Sequence, residues 1–472
     1  MNREDFHLYL RLLAYVKPYR GRFALAILAM LVVSALTALL AYLVKPFLDE
    51  VFFAKNLRML YLLPWLVVLL YFFKESLTFF QHYQMQFIGQ STVTRLRDEL
   101  FSHLQRQSLS FFDHQATGVL ISRVINDVLV LQETVTRVVT SSVRDIFTII
   151  GLTAVIFYQE WRLALMAMVV MPLAAAFIIS FGKRLRGITT ESQKAMARLT
   201  TLLQEVFLGQ RIVKAFARED FEDARFAREN QAYLRIRLKQ AIYRGITPPV
   251  MEFLGSIGMA GILFYGGYNV IQGHSTPGTF FSFLAALVML YAPIKGVSQA
   301  QNAIQEGLAG AQRIFAVLDL TPAIQDQPTA AALPPLQREI VYENVTFAYG
   351  DRPALADINL TVRRAELVAL VGPSGAGKTT LLNLLPRFYE VSSGAIRIDG
   401  HDIRDVTLAS LRGQIGVVTQ QTILFNDTVR FNVAYGRLEA GDDEIVGALK
   451  AAYAWDFVSA LPQGLDTLIG EQ

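Results

Sequence analysis

The chain has 472 residues, a net charge of +4 and a hydrophobic content of 53%, which is too apolar for an ordinary soluble protein and leaves room for two or three domains. It contains no cysteine, which excludes structural disulfides and thiolate metal sites. The basic residues flank long apolar runs, as membrane topology requires, and therefore do not indicate a nucleic-acid partner.

Residues 1–320 are predicted to form an all-α transmembrane domain. The N-terminus is polar and basic and lacks a short apolar region with a cleavage site, so residues 1–21 are expected to lie at the membrane surface rather than to be a signal peptide. A tight external hairpin is predicted at the short connector 158–162. Six runs are long enough to cross a bilayer, at residues 23–44, 57–73, 138–157, 163–181, 250–271 and 279–294.

Two long polar stretches, residues 81–135 and 189–243, separate pairs of spans and keep the helical spacing of apolar residues. Arginines in the first stretch, and the basic cluster at residues 183–186 before the second, place both in the cytoplasm by the positive-inside rule. The stretches are too long for simple loops. We therefore expect the membrane helices to extend well beyond the bilayer.

The composition changes after residue 320. Residues 321–337 are rich in proline, alanine and polar side chains and are predicted to be a linker. Residues 338–472 contain short β-rich runs, which predict an α/β domain. Strands are predicted at residues 340–342, 345–347, 358–362, 367–371, 395–398 and 415–418.

The segment from Gly372 to Thr379 reads Gly-Pro-Ser-Gly-Ala-Gly-Lys-Thr and fits the phosphate-binding loop of P-loop nucleotidases. The apolar run 367–371 before it is expected to be a buried parallel strand, and a helix is expected after it that ends at Pro386. Glycines let the backbone wrap a phosphate chain, and loop amides face the anion. Lys378 can reach the β- and γ-phosphates of ATP, and the Thr379 hydroxyl can hold Mg²⁺. The predicted nucleotide-binding residues of this segment are Gly372, Pro373, Ser374, Gly375, Ala376, Gly377, Lys378, Thr379 and Thr380.

A six-span membrane domain followed by a P-loop domain resembles a half-transporter of the ABC exporter family. Tyr349, at the end of the run 347–349, resembles the aromatic residue that stacks on adenine in this family. The alternative is an aromatic residue that packs inward from a strand. Gln420, after the run 417–419, resembles the glutamine of the family's glutamine loop. The resemblance implies that Gln420 contacts Mg²⁺ and the attacking water, and that it acts with Lys378 in catalysis.

Two cytoplasmic stretches also resemble the exporter pattern. Residues 111–127 resemble the first coupling region and residues 205–216 the second, which in the family dock onto nucleotide domains and transmit their closure. The alternative for each is a solvated helix pair. The resemblance implies a homodimer, or a dimer with a homologous half-transporter, in a bacterial inner membrane. It also implies that the N-terminus and the nucleotide domain are cytoplasmic.

The C-terminal part departs from the family pattern. Residues 465–471 resemble the segment just before the family's signature loop, but the signature itself, an Asp-Glu strand end and a late switch histidine do not occur in the sequence. His401 lies too early for that histidine and is expected in a turn after Gly400. We therefore expect the sequence to be truncated, and this chain by itself to be inactive in ATP hydrolysis.

The resemblance implies an ATP hydrolase coupled to the export or flipping of an amphipathic lipid, lipid A-like or phospholipid, by alternating access. A multidrug exporter of the same fold and a nucleotide-gated protein that does not pump are the alternatives. Arg144 lies within the third predicted span, and Lys74 and Lys295 directly follow the apolar runs that predict the second and sixth spans. Charge is costly at membrane depth, and the three cations resemble basic positions lining the cavity of lipid-flipping members of the family. Consecutive residues of a helix point about 100° apart, so we expect Glu75 and Asp145 not to face their neighbouring cations, which leaves these for lipid phosphates. The alternatives are that these pairs do form or that the cations snorkel to a membrane face.

Overall fold

The computed structural model describes residues 3–420 and 423–470. It separates into two compact units, of which the first comprises Met1–Arg106 and Ala116–Thr321 and the second Gln107–Gln115 and Pro322–Gln472. The short segment 107–115, which lies inside the predicted transmembrane domain along the chain, therefore belongs to the second unit. Within the helices, nothing is described of the side chains of residues 3–6, 135, 167, 169–181, 183, 247, 251, 254 and 302.

The first unit is helical wherever it forms regular structure in the described residues. Its long helices are joined by π-helical turns at Phe47–Phe53, Arg123–Asp127 and Ser141–Asp145, and by a 3-10 turn at Lys17–Tyr19. The short helix α4 that is numbered with them belongs to the second unit. The helices are α1 (Arg3–Ala14), α2 (Arg20–Pro46), α3 (Leu57–Gln105), α4 (Leu109–His114), α5 (Thr117–Ser122), α6 (Val128–Thr140), α7 (Ile146–Leu208), α8 (Gln210–Ala215), α9 (Glu219–Ile271), α10 (Pro277–Met289) and α11 (Tyr291–Leu318).

Among the described residues, five helical segments are long and apolar enough to cross a membrane, namely Lys17–Phe53, Leu57–Gln105, Thr117–Met166, Glu219–Ile271 and Pro277–Leu318. They contain the first, second, third, fifth and sixth predicted spans, which confirms the all-helical membrane region. The fourth predicted span, residues 163–181, lies in the middle of α7, where most of its side chains fall outside the described residues. The predicted hairpin before it is a kink in α7 at Glu160, whose φ of −155° and ψ of 90° are not helical.

The core of the first unit lies where α2, α7 and α10 meet. Leu152 and Phe283 are fully buried there. Hydrogen bonds tie the three helices together, because Gln159 Nε2 donates to Ser282 Oγ at 3.0 Å and the Ser282 hydroxyl donates to the Ala41 carbonyl at 2.8 Å. These buried polar groups find partners between helices, where a lipid environment would leave them unsatisfied.

The second unit is built on an antiparallel sheet in the order β2-β1-β3-β4. Its strands are β1 (Glu339–Tyr349), β2 (Arg352–Arg363), β3 (Ser393–Ile398) and β4 (His401–Asp402), and a separate antiparallel pair is formed by β5 (Asp427–Thr428) and β6 (Leu468–Ile469). Leu384 and Leu411 are completely buried against this sheet. The helices are α12 (Lys378–Leu384), α13 (Leu408–Arg412), α14 (Val429–Ala434), α15 (Asp442–Ala451) and α16 (Trp455–Ser459).

Two strand predictions are wrong in this structure. Residues 367–371 and 415–418 form no ladder with any described strand. Leu370 and Ile415 pack against the core, whereas Leu367 is 97% and Val418 99% exposed. An apolar run becomes a strand only where a neighbouring backbone accepts and donates its hydrogen bonds, and no described strand lies beside either run. The prediction for His401 is also wrong, because it is the first residue of β4 and pairs with Ile398.

Candidate functional site

The glycine-rich loop connects the exposed run 367–371 to the first turn of α12. Every residue from Gly372 to Ala376 is exposed. Gly375 and Gly377 have φ values of 83° and 84°, in the left-handed region that glycine adopts without strain. Leu384 anchors α12 in the core, so a fixed helix presents an open loop. The predicted helix after the loop is confirmed, and α12 ends before Pro386 as expected.

Lys378 lies across the loop that precedes it. Its ammonium group donates to the carbonyl oxygens of Gly372 and Pro373, both at 2.8 Å. Thr379 is exposed beside it. A Cβ added at Gly375 would have no neighbour within 4 Å, so there is open space on that side of the loop. An ammonium group, an accessible hydroxyl and exposed loop amides suit a polyphosphate chain with a bound cation.

Tyr349 ends β1 close to the start of α12. Its hydroxyl lies 3.3 Å from Thr380 Oγ1, and its side chain is 39% exposed. The ring makes edge contacts with Phe347 at 4.8 Å and with Tyr389 at 5.2 Å between centroids. The aromatic ring is therefore partly packed inward, as the structural alternative expects, and yet stays accessible next to the loop helix.

Gln420 is exposed at the end of segment 415–420, which forms no strand. Among the described residues, no hydrogen bond is seen between Gln420 and Lys378 or Thr379. The structure thus brings Tyr349 and Thr380 together at the loop by a direct contact, and it shows no such contact for Gln420 among the described residues. The roles of Tyr349, Gln420 and the loop residues remain predictions.

The predicted substrate-binding cations do not share one environment. Lys74 Nζ pairs with Glu75 Oε1 at 2.8 Å. The Arg144 guanidinium pairs with Asp145 Oδ1 at 2.9 Å, and the Asp145 side chain is only 6% exposed. The expectation that consecutive helical residues leave these cations free is wrong, because long flexible side chains bend around the helix and a buried carboxylate needs a counter-charge. Lys295 is exposed, and no ion pair involves it among the described residues.

A cavity of about 920 Å³ lies in the first unit among α2, α3, α9 and α10. Its walls are apolar apart from the hydroxyl of Tyr71. The Tyr71 ring centroid is 5.3 Å from Lys74 Nζ, so Lys74 lies near one edge of the cavity. Arg144 and Lys295 do not line it. The expected cavity shared by all three cations is therefore not found in the described part of the chain.

Sequence reasoning missed Tyr389, whose phenol donates a 2.5 Å hydrogen bond to Asp113 of α4. These residues are 276 positions apart, and no local pattern links them. The only available signal was aromatic content: Tyr389 follows the loop helix closely and adds a third ring to Phe347 and Tyr349. The first predicted coupling region thus divides, with α4 in the second unit and residues 117–127 in the first.

Helices that can span a membrane, joined along one chain to a phosphate-binding loop, define a multi-pass membrane transporter that binds and hydrolyses ATP. Residues 23–294 match the family model of the ABC transporter transmembrane region, and residues 355–465 match the ABC transporter model. The chain belongs to the ABC transporter family.

Three relatives in this family share one name. The chain is 53% identical over 461 residues to the ATP-dependent lipid A-core flippase of Syntrophus aciditrophicus, covering 98% of this chain and 77% of that protein. It is 47% identical to the ATP-dependent lipid A-core flippase of Desulfotalea psychrophila, covering 98% and 81%. The protein of the same name from Thiobacillus denitrificans is 38% identical, with 98% and 80% covered.

Proposed function

We propose that this protein uses ATP to flip a lipid A-like, phosphorylated amphipathic lipid across the bacterial inner membrane. The observation that carries the proposal is the match of 98% of the chain, membrane helices and phosphate loop together, to relatives named as lipid A-core flippases. Flipping requires both an energy source and a path through the bilayer, and the chain supplies a component of each. The N-terminus and the second unit face the cytoplasm in this proposal, where ATP is present.

In the ATP site, phosphoryl transfer depends mainly on positioning and on stabilising negative charge. Lys378 and the loop amides would hold the phosphates, and Tyr349 would stack on adenine. Thr379 and Gln420 would hold Mg²⁺, which would neutralise charge on the phosphates. In this proposal Gln420 would reach the metal from segment 415–420 when nucleotide binds.

We further propose that the protein works as a dimer, with a second copy of itself or with a homologous half-transporter. Each phosphate loop would face the other subunit across bound ATP. Closure of the two nucleotide domains would then drive alternating access of the membrane helices.

The substrate path would combine an apolar chamber with an accessible cation. The 920 Å³ cavity has walls suited to acyl chains. Lys295 is the strongest candidate for a lipid phosphate, because Lys74 and Arg144 are already neutralised by Glu75 and Asp145. Because these two cations are paired and the cavity walls are apolar, the second candidate function is a multidrug exporter of uncharged apolar compounds.

The experiment measures ATP hydrolysis by lysine variants of the purified full-length transporter in proteoliposomes with and without lipid A. A charge-assisted hydrogen bond contributes about 1.5–3 kcal/mol, so Lys295→Ala should raise the half-stimulating lipid A concentration about tenfold or more. Lys74→Ala, the matched control whose ammonium already has a carboxylate partner, should raise it much less. Stimulation by apolar drugs but not by lipid A would favour the multidrug exporter instead, and Lys378→Ala should remove ATP hydrolysis under either function.

A further inference from the structure

A buried tyrosine connects the first coupling segment to the aromatic ring next to the phosphate loop. The Tyr389 hydroxyl donates to Asp113 Oδ2 at 2.5 Å, and Tyr389 is 8% exposed. Asp113 lies on α4, in the segment Gln107–Gln115 of the second unit. This segment continues at both ends into helices of the first unit along the chain. A signal that reaches α4 therefore has a covalent path to the membrane helices.

The other side of Tyr389 meets Tyr349. The two rings lie edge to face, with centroids 5.2 Å apart and planes at 84°. The Tyr349 hydroxyl in turn lies 3.3 Å from Thr380 Oγ1 in the first turn of the loop helix. Edge-to-face rings fix each other's orientation, because the positive edge of one meets the negative face of the other. Asp113, Tyr389, Tyr349 and Thr380 thus form an unbroken series of contacts within one compact unit.

The segment that carries Tyr389 is held firmly. Arg387 is 5% exposed, donates to the Ile403 carbonyl at 3.3 Å and pairs with Glu390 at 2.9 Å. Arg412 donates to the carbonyls of Pro386 and Arg387 at 2.9 and 3.0 Å. A ring carried by a fixed backbone can transmit a displacement, which a mobile loop would absorb.

The phenol keeps its proton in this environment. Burial, together with the hydrogen bond to Asp113, raises the pKa of Tyr389 well above its ordinary value. The hydroxyl therefore remains a donor to the Asp113 carboxylate throughout the physiological pH range. A neutral donor to a carboxylate makes a stronger hydrogen bond than two neutral groups do.

We propose that Tyr389 is a positioning residue through which α4 responds to nucleotide binding at Tyr349. When adenine orders the Tyr349 ring, the Tyr389 ring that abuts it is ordered as well, and its phenol holds Asp113 and hence α4. By linkage, the state of α4 affects nucleotide affinity to the same extent. This inference rests on the proposed stacking of Tyr349 on adenine, and it adds a residue outside the motifs of the site.

The test measures backbone amide hydrogen exchange of α4 in the transporter in lipid nanodiscs, with and without saturating ATP. ATP should slow exchange in the wild type. Tyr389→Phe keeps the ring and removes the hydrogen bond, so the ATP-dependent slowing should fall about tenfold, the loss expected for a hydrogen bond to a charged group. Asp113→Ala should have the same effect, and the double variant should lose no more than either single variant.

The matched control is Tyr342→Phe, which removes another buried phenol of the same unit whose hydroxyl lies 3.4 Å from the Leu381 carbonyl. This variant should keep the ATP-dependent slowing in α4, whereas Tyr349→Ala should lose it. Equal slowing in wild type, Tyr389→Phe and Asp113→Ala would overturn the inference, and so would ATP binding that never alters α4. A separate ATP-binding assay tests the proposed function. If wild type and Lys378→Ala bind ATP equally, the proposed function fails, whatever the exchange of α4 shows.

Discussion

Two glycines of the phosphate loop offer a matched pair of substitutions. Gly375 and Gly377 have nearly the same left-handed φ, 83° and 84°, and differ in what surrounds them. A Cβ at Gly375 would meet nothing within 4 Å. A Cβ at Gly377 would lie 2.7 Å from Leu355 Cδ2 and 2.8 Å from the Ala354 carbonyl oxygen. Comparing Gly375→Ala with Gly377→Ala therefore isolates the close approach between the loop and β2.

The expected free energies follow from these distances. Alanine in the left-handed region costs about 1–2 kcal/mol, and its lower entropy in the unfolded chain returns about 0.4–1 kcal/mol. Both substitutions share this net cost. Only Gly377→Ala adds overpacking, which typically costs about 1–3 kcal/mol. Ala354 lies at a bulge of β2, and its neighbours Pro353 and Leu355 both pair with β1, so its carbonyl has little freedom to retreat. Gly377→Ala should therefore be less stable than Gly375→Ala by about 1–3 kcal/mol.

The assay is thermal unfolding of the two variants in the same detergent, with ATP affinity measured in parallel. Affinity should fall in both variants, because each added methyl group enters the region where the backbone wraps phosphate. The unfolding temperature should separate them by several degrees, with Gly377→Ala lower. Equal unfolding temperatures would refute the conclusion that the loop and β2 are in close contact at Ala354.

The remaining predictions concern single side chains. Lys378→Ala should greatly weaken ATP binding or turnover while the protein still inserts into membranes, and normal ATPase activity of this variant of the full-length protein would contradict the loop assignment. Tyr349→Ala should weaken ATP affinity by about 1–3 kcal/mol, the scale of base–aromatic stacking, whereas Tyr349→Trp should retain it; equal affinities would mean that another residue holds the base. Burial raises the pKa of Tyr342 to about 12 from 10.0. The resulting stabilisation, about 2–3 kcal/mol, is fully present below about pH 10 and is lost as pH rises towards 12, because the unfolded phenol ionises first. Tyr342→Phe should remove that alkaline loss of the unfolding temperature, and an unchanged pH profile would rule out this tyrosine as its source.

The sequence allowed prediction of motifs made of consecutive residues, but not of contacts between segments that lie far apart along the chain. The glycine-rich loop and α12 follow from eight consecutive residues, whose backbone requirements are met within the segment itself. The runs 367–371 and 415–418 are apolar, like the runs that do form strands. Whether such a run forms a strand depends on the backbone that lies beside it, which comes from elsewhere in the chain. The same limit hid the contact between Tyr389 and Asp113, which only the folded unit brings together. Tyr349 was predicted as a site residue because a family motif contains it. Its edge contacts with other rings were not predicted.

The three substrate candidates show why helical geometry alone does not decide which charges are free. Arg144 and Asp145 point apart at Cβ, and yet the guanidinium returns to the carboxylate at 2.9 Å because Asp145 is buried and has a strong need for a counter-charge. Asp145 also packs against α11, where a Cβ added at Gly296 would clash with its carboxylate. That contact places the neutralised pair next to the helical turn that carries Lys295. A lipid phosphate at this turn would meet Lys295 as an uncompensated cation, while extracting Arg144 would leave a buried carboxylate unpaired. The cost of breaking the existing pair, rather than the number of basic residues at membrane depth, should therefore decide which cation binds the substrate.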